Sequence, residues 1–189
     1  MRCKRKALAE TEQFNAADKI ASRITRLPEY RKSRRIAAYM AANGEVDCTF
    51  LLRLAYRHGK QIFLPYIQAK NRMAFRRWTP TMRMGCNRFG IHEPDSSAYP
   101  LTSPSSIDLI IVPLLAFDRR ANRLGMGGGF YDRSLAQRGQ ISSRPLLVGV
   151  AYDFQFVERL VRSWWDIPLD TVITPTKQFR FHRKRYQKV

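Results

Sequence analysis

Apolar residues recur along the chain at two spacings, and each spacing predicts one type of element. Over residues 10–27, and again over 48–58, they fall at helical intervals with polar residues on the opposite face. Thr11 is a candidate cap for the first helix, and Pro28 is expected to end it. Gly59 follows the second segment, where a glycine commonly ends a helix. Both segments are therefore predicted to be amphipathic helices.

Short apolar runs lie between and after these segments, and they predict strands. The runs occupy residues 36–40, 61–67, 73–78, 108–113, 146–151 and 171–174. Asn43 and Gly44 signal a turn after the first run, Pro65 marks an end or an edge of the second, and the third is expected to be antiparallel. With a further helix over 131–137, this alternation favours an α/β domain with a largely parallel sheet.

Other features of the sequence favour structural roles. Residues 79–106 are rich in Pro, Ser, Gly and Asn, and predict a long irregular surface loop in which His92 is solvated rather than catalytic. Trp164 and Trp165 are interpreted as packing for the last strand rather than as a stacking platform. Asp118 is expected to start a turn through a local hydrogen bond to the backbone.

Composition narrows the class of protein. The chain has 189 residues, of which 44% are hydrophobic and 12% aromatic; this is too apolar for a disordered chain and suits one domain. The three cysteines, Cys3, Cys48 and Cys86, are widely spaced, so neither a disulfide framework nor a structural zinc site is expected. The sequence has no signal-peptide pattern and no apolar run of about 18 residues. We therefore expect a soluble cytoplasmic protein that does not enter a membrane.

The charge balance points to polyanionic partners. Lys and Arg number 34 against 15 Asp and Glu, which gives a formal net charge of +19. Residues 176–189 contain six of the basic residues and no acid, and they are predicted to form a peripheral basic tail. Basic residues interleaved with aromatic ones are typical of segments that bind nucleic acid. A nucleic-acid-binding protein is therefore an alternative function, although no RNP, KH, zinc-finger or helix-turn-helix pattern occurs.

A glycine-rich segment at residues 123–133 carries the most specific chemical signal. Its four glycines in five positions permit positive φ and close backbone approach. Such a loop leading into a helix presents N–H groups to an anion, usually a phosphate. Arg123 and Arg133 flank the loop, and Asp132 suits a Mg²⁺ ion beside a phosphate. Neither the P-loop pattern nor G-x-G-x-x-G fits, so a tight loop without a ligand remains the alternative.

The same segment resembles a family signature. It reads VPLLAFD at residues 112–118 and NRLGMGGGFYDR at 122–133, and it is similar to the signature of the 5-formyltetrahydrofolate cyclo-ligases, also called methenyltetrahydrofolate synthetases. Further blocks occur in the family's order at residues 5–8, 44–47, 59–60, 87–94 and 166–170. The resemblance covers essentially residues 2–175, and the ordered recurrence of separate blocks makes it specific.

The resemblance implies a fold, a reaction and two ligands. The fold is a three-layer α/β/α unit with a mostly parallel sheet, similar to the NagB/RpiA/CoA-transferase-like fold, as one domain over residues 1–175 with the tail at 176–189. The reaction converts 5-formyltetrahydrofolate, which can be polyglutamylated, to 5,10-methenyltetrahydrofolate. It uses ATP and Mg²⁺ and releases ADP and phosphate, through phosphorylation of the formyl oxygen and attack by N10. A monomer is expected, and an ATP-binding relative acting on a different substrate is the alternative.

The resemblance also assigns functional positions. The ATP-binding positions match Arg123, Leu124, Gly125, Met126, Gly127, Gly128, Gly129, Phe130 and Tyr131. The substrate-binding positions match Met40, Glu45, Met126, Gly127, Gly128, Gly129 and Phe130. The magnesium-linked positions match Asp132 and Asp166, and the residues expected to act in catalysis are Arg123, Tyr131 and Asp132.

The sequence departs from the family pattern in two places. Many members carry an N-terminal Lys-x-x-x-Arg that reaches the phosphates, and this chain does not show it in that register. Its replacements, unless the true start lies upstream, are the basic residues Arg2, Lys4, Arg5 and Lys6. Phe130 stands where many members have Tyr, which removes one hydroxyl but keeps a ring. Glu45 is expected to hydrogen-bond the pterin or to be a solvated turn residue, and Asp166 to bind metal or to cap a turn.

Overall fold

The structure, a computed structural model, describes residues 1–68, 72–95, 99–136 and 145–181. Its helices are α1 (Arg2–Lys6), α2 (Glu10–Thr25), α3 (Pro28–Lys32), α4 (Thr49–Arg57) and α5 (Phe130–Ser134). Its strands are β1 (Arg35–Ala37), β2 (Gln61–Ile67), β3 (Met73–Trp78), β4 (Met84–Cys86), β5 (His92–Pro94), β6 (Leu109–Pro113), β7 (Ala116–Phe117), β8 (Arg123–Leu124), β9 (Leu146–Val150), β10 (Thr171–Ile173) and β11 (Gln178–Arg180).

Seven strands form the central sheet, in the order β11-β10-β9-β6-β1-β2-β3. The inner strands β10, β9, β6, β1 and β2 run parallel, and the outer strands β11 and β3 are antiparallel to their neighbours. The chain passes from β1 to β2 on one side and later to β6 on the other side of β1. The strand order therefore reverses between β1 and β6, where open α/β sheets generally bind ligands at the carboxyl ends.

The sheet separates two hydrophobic clusters. Because successive residues of a strand point to opposite faces, Ile36 and Ile111 pack with α2, α3 and α4, whereas Ala37 and Ile110 pack on the other face. The second face is covered by α5 side chains and by loops. The predicted α/β class, with its largely parallel sheet between two outer layers, is thus confirmed.

The helices follow the predicted periodicity, with different ends. Ala9, not Thr11, is the N-cap of α2, and the Glu12 carboxylate accepts a hydrogen bond from the Ala9 N–H at 2.9 Å. The helix α2 ends at Thr25, before Pro28. Pro28 instead begins the short helix α3, a position that suits proline because the N–H groups of a first helical turn have no partner within the helix. The described helices are all too short or too polar to traverse a lipid bilayer.

The strands depart from the sequence expectation in three places. β1 ends at Ala37 rather than at residue 40, although the Ala38 N–H still donates to the Phe63 carbonyl of β2 at 3.1 Å before the chain leads to the turn at Asn43 and Gly44. Pro65 lies within β2, opposite Phe75, and β2 is an inner strand rather than an edge. Residues 79–106 are not irregular throughout, because β4 and β5 pair there as an antiparallel hairpin.

The C-terminal segment is not wholly peripheral. β11 pairs with β10, and the Phe179 ring lies 5.0 Å from the Phe117 ring and 5.4 Å from the Phe156 ring. The prediction of a peripheral tail is therefore wrong for residues 178–180. Residues 182–189 lie outside the described part of the chain, as does residue 137 at the end of the predicted helix that became α5. The division of the chain at residue 175 remains a prediction.

Candidate active site

An open cleft of about 2580 Å³ lies at the reversal point of the sheet. Met40 and Glu45 from the segment after β1 line it, together with Leu114, which follows β6, and the glycine loop, defined as residues 125–129. Small-molecule sites usually occupy about 300–1000 Å³. The cleft is therefore large enough for two ligands side by side.

The glycine loop presents its backbone to this cleft. Gly127 has φ +84° and Gly129 φ +60°, conformations that side chains rarely adopt. A Cβ built on Gly125 or Gly127 meets no atom within 4 Å, so the space beside these residues is open. A ligand can therefore approach the backbone of the loop closely, which is the arrangement that phosphate-binding loops use. α5 follows with a single turn, shorter than the helix predicted from the sequence.

Arg123 and Asp132 form an ion pair beside the loop. Arg123 Nη2 donates to Asp132 Oδ1 at 2.8 Å, and Arg123 Nη1 donates to the Ile167 carbonyl at 2.8 Å. The Ile167 N–H donates to the same Oδ1 at 3.0 Å. These bonds join β8, α5 and the segment around Ile167 into one rigid unit. Arg123 has five N–H donors, so three remain after these two contacts.

Asp166 lies next to this unit and lines the same cleft as Asp132. Its Oδ2 accepts a hydrogen bond from the Ser163 N–H at 2.8 Å, so it closes a turn, as the structural alternative predicted. The described residues contain no group of three or more His, Cys, Asp or Glu that would hold a metal alone. Mg²⁺ is usually held by one or two carboxylates plus substrate phosphates, and Asp132 with Asp166 fits that pattern.

A tight turn places Glu45 in the cleft. Asn43 and Gly44 both have positive φ, at 53° and 72°, which confirms the predicted turn. Glu45 Oε2 accepts a hydrogen bond from the Ala42 N–H at 3.1 Å, and Oε1 lies 3.9 Å from Arg5 Nη1. Burial raises the pKa of Glu45, while the Ala42 hydrogen bond and the Arg5 charge lower it in part. Glu45 is therefore a mostly buried acid rather than a solvated turn residue.

Arg5, one of the four basic residues expected to replace the family's N-terminal motif, is buried beside the cleft. Its side chain is 1% exposed, and Nη1 donates to the Leu114 carbonyl at 3.2 Å beside Glu45. Its Nε and Nη2 have no hydrogen-bond partner among the described residues. An arginine is rarely buried unless it is paired, so the basic N-terminal run marked Arg5 as a candidate but did not indicate that it would be buried.

The other N-terminal basic residues lie farther from the cleft. Arg2 Nη2 donates to Asn43 Oδ1 at 3.3 Å, which brings it to the rim. Lys4 and Lys6 are exposed on α1 and are not among the described residues that line the cleft. Of the four proposed replacements for the family's basic motif, Arg5 and Arg2 are thus close to the site, whereas Lys4 and Lys6 are not.

Tyr131 and Phe130 line the cleft from α5. Burial raises the pKa of Tyr131, and the charge of Glu45 raises it further, while Arg123 lowers it. The Tyr131 hydroxyl therefore stays protonated at neutral pH and can donate a hydrogen bond. The Phe130 ring meets the Phe89 ring edge to face, with centroids 5.7 Å apart.

The β4–β5 hairpin brings further residues to the cleft that the sequence analysis assigned to a surface loop. Asn87, Phe89, Ile91 and His92 all line it. His92 is exposed, in agreement with its interpretation as a solvated residue. Asn87 Oδ1 accepts hydrogen bonds from the Phe89 and Ile91 N–H groups, so it holds the hairpin loop in shape.

The tryptophan pair is placed differently from the sequence interpretation. Trp164 is 88% exposed and Trp165 55% exposed, and both line the cleft. Their interpretation as packing for the last strand is therefore wrong. Adjacent tryptophans give no hydrophobic period, so the sequence could not distinguish a buried pair from an exposed one.

Fold and cleft together define a class: an α/β protein with a phosphate-type glycine loop and room for two ligands at the reversal point of its sheet. A model of the 5-formyltetrahydrofolate cyclo-ligase family matches residues 1–175. The chain belongs to the 5-formyltetrahydrofolate cyclo-ligase family, and it is therefore an enzyme of the ligase class.

Individual relatives agree with this assignment. The 5-formyltetrahydrofolate cyclo-ligase of Escherichia coli K12 is 36% identical over 179 residues, which cover 94% of this chain and 97% of the relative. That of Haemophilus influenzae is 35% identical over 168 residues, covering 88% and 89%. Among solved structures, the 5,10-methenyltetrahydrofolate synthetase of Aquifex aeolicus matches with a TM-score of 0.83 and 36% identity, covering 100% of this chain and 92% of that one.

Proposed function

We propose that this protein converts 5-formyltetrahydrofolate to 5,10-methenyltetrahydrofolate with consumption of ATP in the presence of Mg²⁺. The observation that carries the proposal is the cleft itself, where the glycine loop and Glu45 face one space of about 2580 Å³. A ligase that activates one substrate with another must hold both at once. The membership of the chain in the 5-formyltetrahydrofolate cyclo-ligase family supports the folate as one substrate, and the phosphate-type glycine loop supports ATP as the other.

The glycine loop and its flanks would hold the triphosphate. The loop backbone at Gly125 and Gly127 is open to the cleft, and Arg123 keeps donors beyond those used by Asp132 and Ile167. Asp132 and Asp166 would hold Mg²⁺, which neutralises charge on the phosphates when it is bound. Asp132 Oδ2 accepts no hydrogen bond from the described residues and would be the oxygen that faces the ion.

The segment after β1 would hold the folate. Glu45 is suited to accept hydrogen bonds from the N–H groups of a pterin, and Met40 supplies an adjacent apolar surface. Phe130 and Met126 would border the ring on the side of the glycine loop. The folate and the nucleotide would then meet across residues 126–130, so that their reacting groups are neighbours.

Two steps complete the proposed reaction. The formyl oxygen first attacks the γ-phosphorus, which forms a C–O–P linkage and releases ADP. The N10 amine then attacks the activated carbon, the C–O bond breaks, and phosphate and one proton leave. The loop N–H groups, Arg123 and the Tyr131 hydroxyl would stabilise charge on the transferred group, and binding both ends of one folate molecule favours ring closure.

A direct assay tests the proposal. Purified protein is mixed with 5-formyltetrahydrofolate and MgATP, and the near-ultraviolet absorbance of the methenyl product is followed with and without ATP. We expect ATP-dependent product and an equal amount of ADP. Asp132→Asn should greatly reduce the rate, and Asp18→Asn, an exposed acid on α2, is the matched control. Protein that is folded by circular dichroism but gives no ATP-dependent product would refute the proposal.

A further inference from the structure

Exposed apolar side chains are concentrated at the cleft. Of the eleven large hydrophobic residues that are exposed in the described part of the chain, six line this one cavity. They are Phe89, Leu124, Met126, Val161, Trp164 and Trp165. Soluble proteins rarely gather exposed apolar surface unless a ligand or partner covers it. The cleft rim is therefore built to be covered when the site is filled.

Trp164 and Trp165 form the largest aromatic surface on this rim. Their ring centroids lie 5.2 Å apart with planes at 78°, so the edge of one indole meets a face of the other, and each indole keeps at least one face that its neighbour does not cover. An indole face provides a large area for stacking a flat heteroaromatic ring. Trp78, the third tryptophan of the chain, is buried in the core and takes no part in this surface.

The segment that carries the pair is fixed at both ends. The Leu160 N–H donates to Asp118 Oδ2 at 3.0 Å, and the Ile167 N–H donates to Asp132 Oδ1 at 3.0 Å. Between these anchors, residues 161–166 project beside the cleft and are held in a turn by Asp166 and Ser163. The position of the tryptophans relative to Asp132 and the glycine loop is therefore set by the fold.

We propose that Trp164 and Trp165 stack the heteroaromatic base of the nucleotide. The inference rests on the proposed function, and it adds the site of the base to the site of the phosphates. Trp165 precedes Asp166 in the chain, and the same segment is bonded to Asp132, so the pair lies on the phosphate side of the cleft. Glu45, the proposed pterin ligand, lies instead beyond β1 next to Arg5. A nucleotide held by its phosphates at the loop would extend its base over the pair.

Binding measurements with and without the base test this role. Isothermal titration with MgADP, which does not turn over, is carried out on Trp164→Ala, Trp165→Ala and the double variant, and repeated with inorganic tripolyphosphate. Loss of one stacking contact should weaken ADP binding by roughly 5- to 100-fold and leave tripolyphosphate unaffected. Trp165→Phe, which keeps a ring, should recover most of the affinity. Phe14→Ala, on an α2 residue that is 72% exposed and outside the cleft, is the matched control.

The outcomes separate this inference from the proposed function. The stacking role would be overturned if the double variant kept its ADP affinity, or if it lost ADP and tripolyphosphate affinity equally. Turnover by the wild type would still support the ligase activity in either case. Weakened binding of 5-formyltetrahydrofolate with intact ADP binding would also overturn it, because the pair would then serve the folate ring. A wild-type protein that binds no ADP would overturn the proposed function and this inference together.

Discussion

At the scale of single residues, the glycines of the loop differ in what each position demands. Gly127 and Gly129 need positive φ, whereas a Cβ on Gly128 would come within 2.8 Å of the Phe130 ring. Gly125 has neither constraint, since its φ is not positive and no atom lies within 4 Å of its Cβ position. Substitutions at Gly125 and Gly127 can therefore separate the needs of the backbone from the needs of a ligand.

Gly127→Val should reduce turnover by about 100-fold or more, because a displacement of about 1 Å in a site that positions substrates has an effect of that size. Gly125→Ala should keep the fold and the loop conformation, because its φ is not positive and its Cβ position is open, and it adds only one methyl group beside the proposed phosphate site. Its effect on turnover is therefore expected to be smaller. Steady-state rates and ADP affinity for both variants measure the difference. Wild-type activity in Gly127→Val would contradict our assignment of the loop.

Asp118 is a second residue whose role is local. It is fully buried and accepts hydrogen bonds from the N–H groups of Arg120, Asn122 and Leu160 and from the Asn122 side chain. Burial alone would raise the pKa of Asp118, but these hydrogen bonds outweigh it and lower the pKa below the usual value. The predicted turn is confirmed, and the hydrogen bond from the Leu160 N–H also fixes the start of residues 161–166, which carry Trp164 and Trp165.

Asp118→Asn should lower the free energy of unfolding at neutral pH by about 1–3 kcal/mol, since it exchanges a charged acceptor for an amide with a misplaced donor. Because the pKa of Asp118 is lower in the folded protein than in the unfolded chain, where it is about 3.9, the carboxylate stabilises the fold at any pH above that value. This contribution is lost as the pH falls through the lower pKa of the folded protein. Urea unfolding from pH 7 to pH 3 should therefore show the two proteins converging at acid pH. A difference that is independent of pH would contradict the role of the charge.

At the scale of elements, buried strands could be predicted and polar ones could not. β6 and β9 are continuous apolar runs, which few structures other than a buried strand explain. β4 has only three residues, and β5 and β11 contain polar or charged ones, so no apolar period indicated these strands, which form through pairing with other strands. The glycine loop was recognisable because four glycines have no packing role, whereas the burial of Arg5 depends on contacts distant in sequence.

The edge strand β11 leads to a prediction about truncation. A chain that ends at Thr176 loses the pairing with β10 and the contact of Phe179 with Phe117 and Phe156. Its free energy of unfolding should fall by about 3 kcal/mol, the loss that follows when a packed phenylalanine side chain is removed. A chain that ends at Phe181 keeps β11 and should retain stability and turnover. Equal melting temperatures for the two truncated chains would contradict a structural role for β11.

At the scale of the whole molecule, the net charge of +19 has two sources that matter for binding: basic residues near the cleft and basic residues at the C-terminus. The last eight residues contain the basic residues Arg183, Lys184, Arg185 and Lys188. If the nucleic-acid alternative holds for this segment, weak RNA binding should fall steeply with salt, with a slope near −0.7 per phosphate contacted. The chain that ends at Phe181 should bind more weakly with a shallower slope. Identical RNA titrations of the two chains at several salt concentrations would rule out such a contact.

The exposed apolar rim of the cleft also has a thermal consequence. Covering apolar surface lowers the heat capacity, so ligand binding should become more exothermic as the temperature rises. A ligand that binds only the folded protein stabilises it by about 2.7 kcal/mol at 100 times its dissociation constant. Six of the eleven large apolar groups that are exposed in the described part of the chain lie where ligands in the cleft would cover them. The melting temperature of this enzyme should therefore depend on its supply of nucleotide and folate as well as on its own core.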